Sequence, residues 1–192
     1  MKFCDQGGMN DLARLPQMIA AQDWAGAAHL LRRVAAHPGA PAQVHYNLAK
    51  VLEAQGEGAQ MLPWLHRAVQ RDPSYALAWF EIGRAEIAAG DLSAAAVAFA
   101  RAWALDPRDD DAVRNLMRVA LRLGDWAQAR QAARALPQSD AEALAARYRC
   151  ACELGEAAED LRARLLADPQ IRPVALKALT RVAKGSLPLR LG

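Results

Sequence analysis

The stretch 76–109, ALAWFEIGRAEIAAGDLSAAAVAFARAWALDPRD, decides the fold. It divides at Gly90-Asp91 and closes at Asp106-Pro107. Glycine there supplies the left-handed cap that ends a first helix. The residue before a proline is pushed out of helical geometry, which ends a second. The same marks recur outward. Gly56-Glu57 lies 34 residues earlier, Gly124-Asp125 lies 34 later, and Gln22-Asp23 is a weaker copy one further period upstream. Buried-type columns repeat with them: Leu48, Ile82 and Leu116; Ala49, Gly83 and Met117; Ala27, Met61, Ala95 and Ala129; Leu31, Leu65, Phe99 and Ala133; Val34, Ala68, Ala102 and Leu136. A fixed period of this length is the mark of a repeat array.

Each unit reads as two helices. In the second, Val44, Leu48, Val51 and Leu52 recur at helical spacing, and Met61, Leu65, Ala68 and Val69 do so beyond Gly56. No stretch sustains period-2 alternation, so the expected class is all-α. Past Pro137 the register slips: Gly155-Glu156 follows Gly124 by only 31 residues, while Leu144, Ala145, Tyr148, Ala157, Leu161 and Pro169 keep the longer period. This predicts a fifth, degenerate unit whose turn has moved by about one helical turn. A last helix is expected over 172–184, with Pro173 in its first turn, a stripe of Val174, Ala178, Leu179 and Val182, and Gly185 as its stop. Lys177, Arg181 and Lys184 face elsewhere, as the polar outer side of a capping helix requires.

The pattern resembles the tetratricopeptide repeat (TPR) family. Its signature, W-x2-L-G-x2-Y, then A-x3-F, then P, is met most fully by Trp79, Ile82, Gly83, Ala95, Phe99 and Pro107. Unit 42–75 keeps Leu48, Ala49, Leu52, Ala68 and Pro73, and unit 110–140 keeps Leu116, Gly124 and Ala129. Glu86 stands where the family has a buried Tyr, His45 where it has Trp, and Pro16 implies a short first helix with the proline near its start. The resemblance implies a right-handed superhelical solenoid of antiparallel helix pairs. The organisation expected is a flexible N-terminus over 1–9 and five units over 10–41, 42–75, 76–109, 110–140 and 141–170. A capping helix over 171–185 and a tail or linker, SLPLRLG, over 186–192 complete it.

Composition narrows the function. No window of eighteen apolar residues exists, the start MKFCDQGGMN has no apolar signal core, and Cys4, Cys150 and Cys152 are too few and too irregular for a disulfide framework. A cytoplasmic protein is expected. A net charge of +3 is too weak to imply nucleic acid, and two groove aromatics give little surface for stacking bases. No phosphate loop, dinucleotide fingerprint, zinc-protease or nucleophile-elbow motif occurs, so no enzyme activity, cofactor or metal is expected. His29, His37, His45 and His66 lie apart, and Cys150 and Cys152 point about 200° apart around one helix.

By the resemblance, the face turned from the apolar columns on each first helix lines a concave groove. Lys50, Arg84 and Arg118 form one column there, and Arg149 belongs to the same face in either register. Tyr46, Phe80 and Arg114 form a neighbouring column, and Asn47, Glu81 and Asn115 another. Arg114, Arg118 and Arg122 stack at i, i+4 and i+8, where like charges disfavour an isolated helix; Asp110 and Asp111 can relieve only Arg114. Either these cations pair with Glu81, Glu86 or Glu142 of adjacent units, or they are left free by the protein's own acids and meet a ligand. The second reading makes a groove for an extended acidic peptide. Arginine forks would meet carboxylates, Asn47 and Asn115 a peptide backbone, and Tyr46 and Phe80 an apolar anchor. This is similar to the carboxylate-clamp class of TPR domains, although the Lys/Asn/Asn/Lys/Arg order of that class is not reproduced.

The function expected is therefore a non-catalytic adaptor for an acidic protein segment. A self-assembling module forming a homo-oligomer is one alternative. The substrate-recruiting part of a larger modifying enzyme is another.

Overall fold

The computed structural model describes residues 12–186, with side chains as far as Val182. The fold is all-α. Among the described residues the helices are α1 Leu15–Ala20, α2 Trp24–Ala35, α3 Ala42–Ala54, α4 Met61–Arg71, α5 Ala76–Ala89, α6 Leu92–Leu105, α7 Asp110–Leu123, α8 Trp126–Ala135, α9 Ala141–Glu153, α10 Glu159–Ala167 and α11 Arg172–Ser186. They form five consecutive pairs and a closing helix. The described residues fall into two compact units, one ending at Asp106 and one beginning at Pro107.

The repeated turns have one backbone conformation. Gly56, Gly90, Gly124 and Gly155 all have positive φ (82°, 87°, 74° and 70°), the region glycine enters without strain. Gln22, the glycine-less copy, is held there as well, at φ 54°. The acid that follows caps the next helix: Asp23, Asp91 and Asp125 accept from the amides of Gly26, Ala94 and Gln128 at 2.9, 2.8 and 2.9 Å. Glu57 makes no such cap, and a short 3-10 turn, Gly58–Gln60, leads into α4 instead. Asp72 and Asp106 leave the helical region, as residues before proline do.

In the first unit each helix packs on the next, from α1 to α6. Leu31, Leu48, Leu52, Leu65 and Phe99 are fully buried between them. Each such side chain contributes about 1.5–3 kcal/mol. Sizes are matched between the two helices of a pair. Buried Ala49 on α3 shares a cluster with Leu65 on α4, whereas Gly83 on α5 stands against Phe99 on α6. A methyl group on Gly83 would lie 2.7 Å from the Phe99 ring.

In the second unit α8 lies on α7 and α9, and α9 also carries α10 and α11. Val113, Leu116, Met117, Val119 and Leu165 form its buried interior. Arg147 is buried too, one period after Val113. It donates to the carbonyls of Ala133 (2.9 and 2.6 Å), Leu136 (2.7 Å) and Pro137 (3.3 Å) and to Gln138 Oε1 (3.1 Å). It thus satisfies the carbonyls at the C-terminal end of α8, which have no partners within the helix.

Pro16 lies in the first turn of α1, as the sequence implies. Gly185 does not stop the last helix, which continues through it to Ser186. A single glycine costs a helix about 1 kcal/mol, too little to end it alone. The expected flexible N-terminus over 1–9 and the tail beyond Ser186 lie outside the described residues. No helix among those described is long and apolar enough to cross a membrane.

Candidate functional site

The first helices of the pairs carry all ten candidate residues: Tyr46, Asn47 and Lys50 on α3, Phe80 and Arg84 on α5, Arg114, Asn115, Arg118 and Arg122 on α7, and Arg149 on α9. They divide between the two units, and each unit has its own electrostatics.

In the first unit two cations and two acids close a ring. Lys50 Nζ donates to Glu53 and, at 3.0 Å, to Glu81 Oε1. Arg84 donates to Glu81 Oε2 at 2.7 Å and to Glu53 Oε1 at 3.1 Å. Glu81 is buried. Burial alone would lower the Lys50 pKa, but its hydrogen bonds to Glu53 and Glu81 reverse that and hold it above its usual value. The Lys50 hydrogen bond holds Glu53 below the usual carboxylate value, against the opposing effect of burial. The expectation that the protein's own acids leave these cations free therefore fails here. Each cation takes one acid from its own helix, three residues away, and one from the first helix of the neighbouring pair, and together they neutralise the rung.

The aromatic residues are also partly engaged. The Tyr46 ring lies 5.1 Å from that of Tyr75, and Phe80 meets Phe99 edge-on at 5.6 Å. Both remain half-buried, so only part of each ring can serve as an anchor. Asn47 makes no hydrogen bond through its amide among the described residues. Glu86 does not join the ring; it sits 4.0 Å from His66.

In the second unit the acids arrive from the start of α9, the first helix of the following pair. Arg114 donates to Asp140 at 2.6 Å and lies 3.8 Å from Glu142. Arg118 makes a two-pronged pair with Glu142 at 2.7 and 2.6 Å. Asp110 and Asp111 are not the partners of Arg114. Asp140 also caps α9 through the Ala143 amide, and these bonds hold its carboxyl below the usual value although burial acts the other way. Asn115 spends its amide on the Asp111 carbonyl of its own helix at 2.9 Å. Arg122 is exposed and has no partner among the described residues.

Arg149 differs from the others. Its guanidinium lies 4.7 Å from the centre of the Trp126 ring, its only acid among the described residues is Glu153 at 3.9 Å, and its buried Nε has no hydrogen-bond partner there. It lines a pocket of about 440 Å³ between α7, α9 and α11. Leu121, Ala145, Ala146, Val174 and Ala178 contribute apolar walls, and Lys177 and Arg181 stand with Arg149 around it. Glu142 is the one acid among the lining residues, and Arg118 already holds it. Lys177 and Arg181 were expected on the polar outer side of a cap. The docking of α11 on α9 brings them to the pocket instead, and only their i, i+4 spacing hinted at a shared role.

Two further chemistry-bearing groups, His45 and Cys150, lie within the packing. His45, in the tryptophan column, is buried with its ring stacked on Trp64. Burial pushes the Cys150 thiol up to about 11, despite nearby Arg149 and Arg130. Among the described residues no group of three His, Cys, Asp or Glu side chains is arranged to hold a metal ion.

Comparison with known proteins bears on this arrangement. No curated protein matches the chain. Among solved structures it is similar to MamA, at 20% identity over 95% of this chain and 97% of that one, with a TM-score of 0.68. A tetratricopeptide repeat protein from Parabacteroides merdae is 13% identical over 95% and 76% of the two chains, with a TM-score of 0.70. YrrB, described as a TPR protein with an unusual peptide-binding site, is 19% identical over 67% and 66%, with a TM-score of 0.58. Two family models, both described as tetratricopeptide repeat, match residues 42–85 and 86–152, which together are more than half the sequence. The chain belongs to the tetratricopeptide repeat family.

Proposed function

We propose that this chain is a non-catalytic interaction scaffold that holds an acidic segment of a partner protein, and that the recognition centre is the pocket around Arg149, Lys177 and Arg181. One observation carries the reading: three cations surround an apolar-walled pocket whose one acid is already bound by Arg118. A carboxylate entering there meets Lys177 and Arg181, which have no acid partner among the described residues, and Arg149, whose acid Glu153 stands 3.9 Å off. One approaching Lys50 or Arg84 must instead displace Glu53 or Glu81. The apolar walls favour an aliphatic residue beside that carboxylate. Family membership and the fold shared with YrrB support a peptide-binding role. The few, irregularly spaced cysteines fit a reducing cytosol.

The test is fluorescence anisotropy with a labelled peptide that places leucine between aspartates. A hydrogen bond to a charged group is worth about 1.5–3 kcal/mol, so exchanging both Lys177 and Arg181 for Glu should weaken binding by at least about tenfold. Arg84→Glu should weaken it by less than about threefold, since that side chain is already engaged. Equal losses in the two variants, or no binding by the unaltered protein, refute the assignment.

A further inference from the structure

A second pocket, of about 290 Å³, lies wholly within the first unit. The bend after α2 contributes His37, the first turns of α3 contribute His45, and the last two turns of α4 contribute Arg67, Gln70 and Arg71. It shares no residue with the charge ring or with the pocket beside Arg149.

Its charge is unbalanced. Arg67 and Arg71 are four residues apart on one helix, the spacing at which like charges repel, and neither has an acid partner among the described residues. Asp72, the nearest acid in sequence, is turned to the amide and hydroxyl of Ser74 at 2.9 and 2.5 Å. The negative end of α4 suits a cation at Arg71, in the last turn. It gives no partner to Arg67, a turn earlier.

The site is also pre-shaped. The Arg67 guanidinium lies 4.3 Å from the centre of the Trp64 ring, and the same ring stacks with His45 at 6.1 Å. An arginine laid against an aromatic face keeps its N–H edge for an oxyanion and loses little freedom on binding one. His45 is buried, and its Nδ1 has no hydrogen-bond partner. Burial, then Arg71 and Arg67, lower its pKa, so the wall is neutral and the two arginines supply the charge.

We propose that this pocket binds a phosphate group, with Arg67 and Arg71 donating to its oxygens and His37 at its rim. A phosphate dianion balances both arginines at once, and its several oxygens match two guanidinium forks better than a two-oxygen carboxylate. The group can be free phosphate or one carried on a serine of a partner.

The test follows the imidazole resonances of His45 by NMR during titration with sodium phosphate, and separately with a short phosphoserine peptide, at constant ionic strength. Saturable shifts below about 10 mM are expected. The His45 pKa should rise as the bound dianion offsets the two arginines. The double variant Arg67→Gln and Arg71→Gln, both exposed and verified by circular dichroism, should lose at least about tenfold in affinity. Tighter binding of the phosphoserine peptide assigns the group to a partner, and equal binding assigns it to free phosphate. No saturable shift with either compound, or an unchanged affinity in the folded double variant, overturns the proposal.

Discussion

Gly83→Ala sets two physical effects against each other. In an isolated helix the exchange gains about 1 kcal/mol, since alanine is the best helix former and glycine among the worst. In this structure the new Cβ would lie 2.7, 2.7 and 2.8 Å from three ring carbons of Phe99. The ring cannot swing away easily, because Phe99 is fully buried and meets Phe80 edge-on. Overpacking of this kind costs about 1–3 kcal/mol. The net expectation is a loss of roughly 1 kcal/mol, measured by urea unfolding followed by circular dichroism with the slope checked for constancy. A second background makes the sign decisive. Phe99→Leu recreates the Leu65 partner of Ala49, and there Gly83→Ala should stabilise by about 1 kcal/mol, because the clash is gone and the propensity gain remains. A Gly83→Ala protein as stable as the parent, or the same sign in both backgrounds, refutes the packing argument.

Three further outcomes follow from the same geometry. Arg147→Met should cost about 3 kcal/mol in thermal or urea unfolding, because buried carbonyls of Ala133 and Leu136 lose their donor; a loss no larger than that of exposed Arg172→Ala would contradict this role. Glu53 and Asp140 have folded-state pKa values below their unfolded ones, so their contribution is present above about pH 4 and disappears as pH falls through the folded values. Melting temperature should therefore fall on acidification below that point, and less steeply in Lys50→Met; a profile flat down to pH 2 would be inconsistent with the pairing. The Cys150 thiol, buried and raised to about 11, should resist iodoacetamide at about pH 8 in the folded protein and react once urea exposes it, as read by peptide mass spectrometry.

The turns were readable because they demand a backbone conformation that glycine supplies and because three such glycines fall at one spacing. Gln22 shows the limit: its turn has the same positive φ with no glycine to announce it. Small and large residues alternating between Ala49/Leu65 and Gly83/Phe99 were visible as columns, but their contacts needed coordinates. Of the three acids the sequence offered as partners, Glu81 and Glu142 take that role and Glu86 does not. Lys50–Glu81 and Glu53–Arg84 each span 31 residues, one period less three, which places the partners on successive first helices. Arg114–Asp140 and Arg118–Glu142 span 26 and 24, because those acids stand at the cap and in the first turn of α9. A search for acids along each cation's own helix finds Lys50–Glu53 and Arg84–Glu81 but misses Asp140 and Glu142. The pocket beside Arg149 depends on how α11 lies against α9, which no local pattern encodes.

The closed ring of Lys50, Glu53, Glu81 and Arg84 has a consequence for selectivity. Its carboxylates are tethered beside the cations they serve, at an effective concentration of millimolar or higher. Stray acidic side chains in a crowded cell must outcompete ligands that never diffuse away. Such a rung rejects indiscriminate polyanions without any steric gate, and leaves adhesion to sequences that bring more than charge.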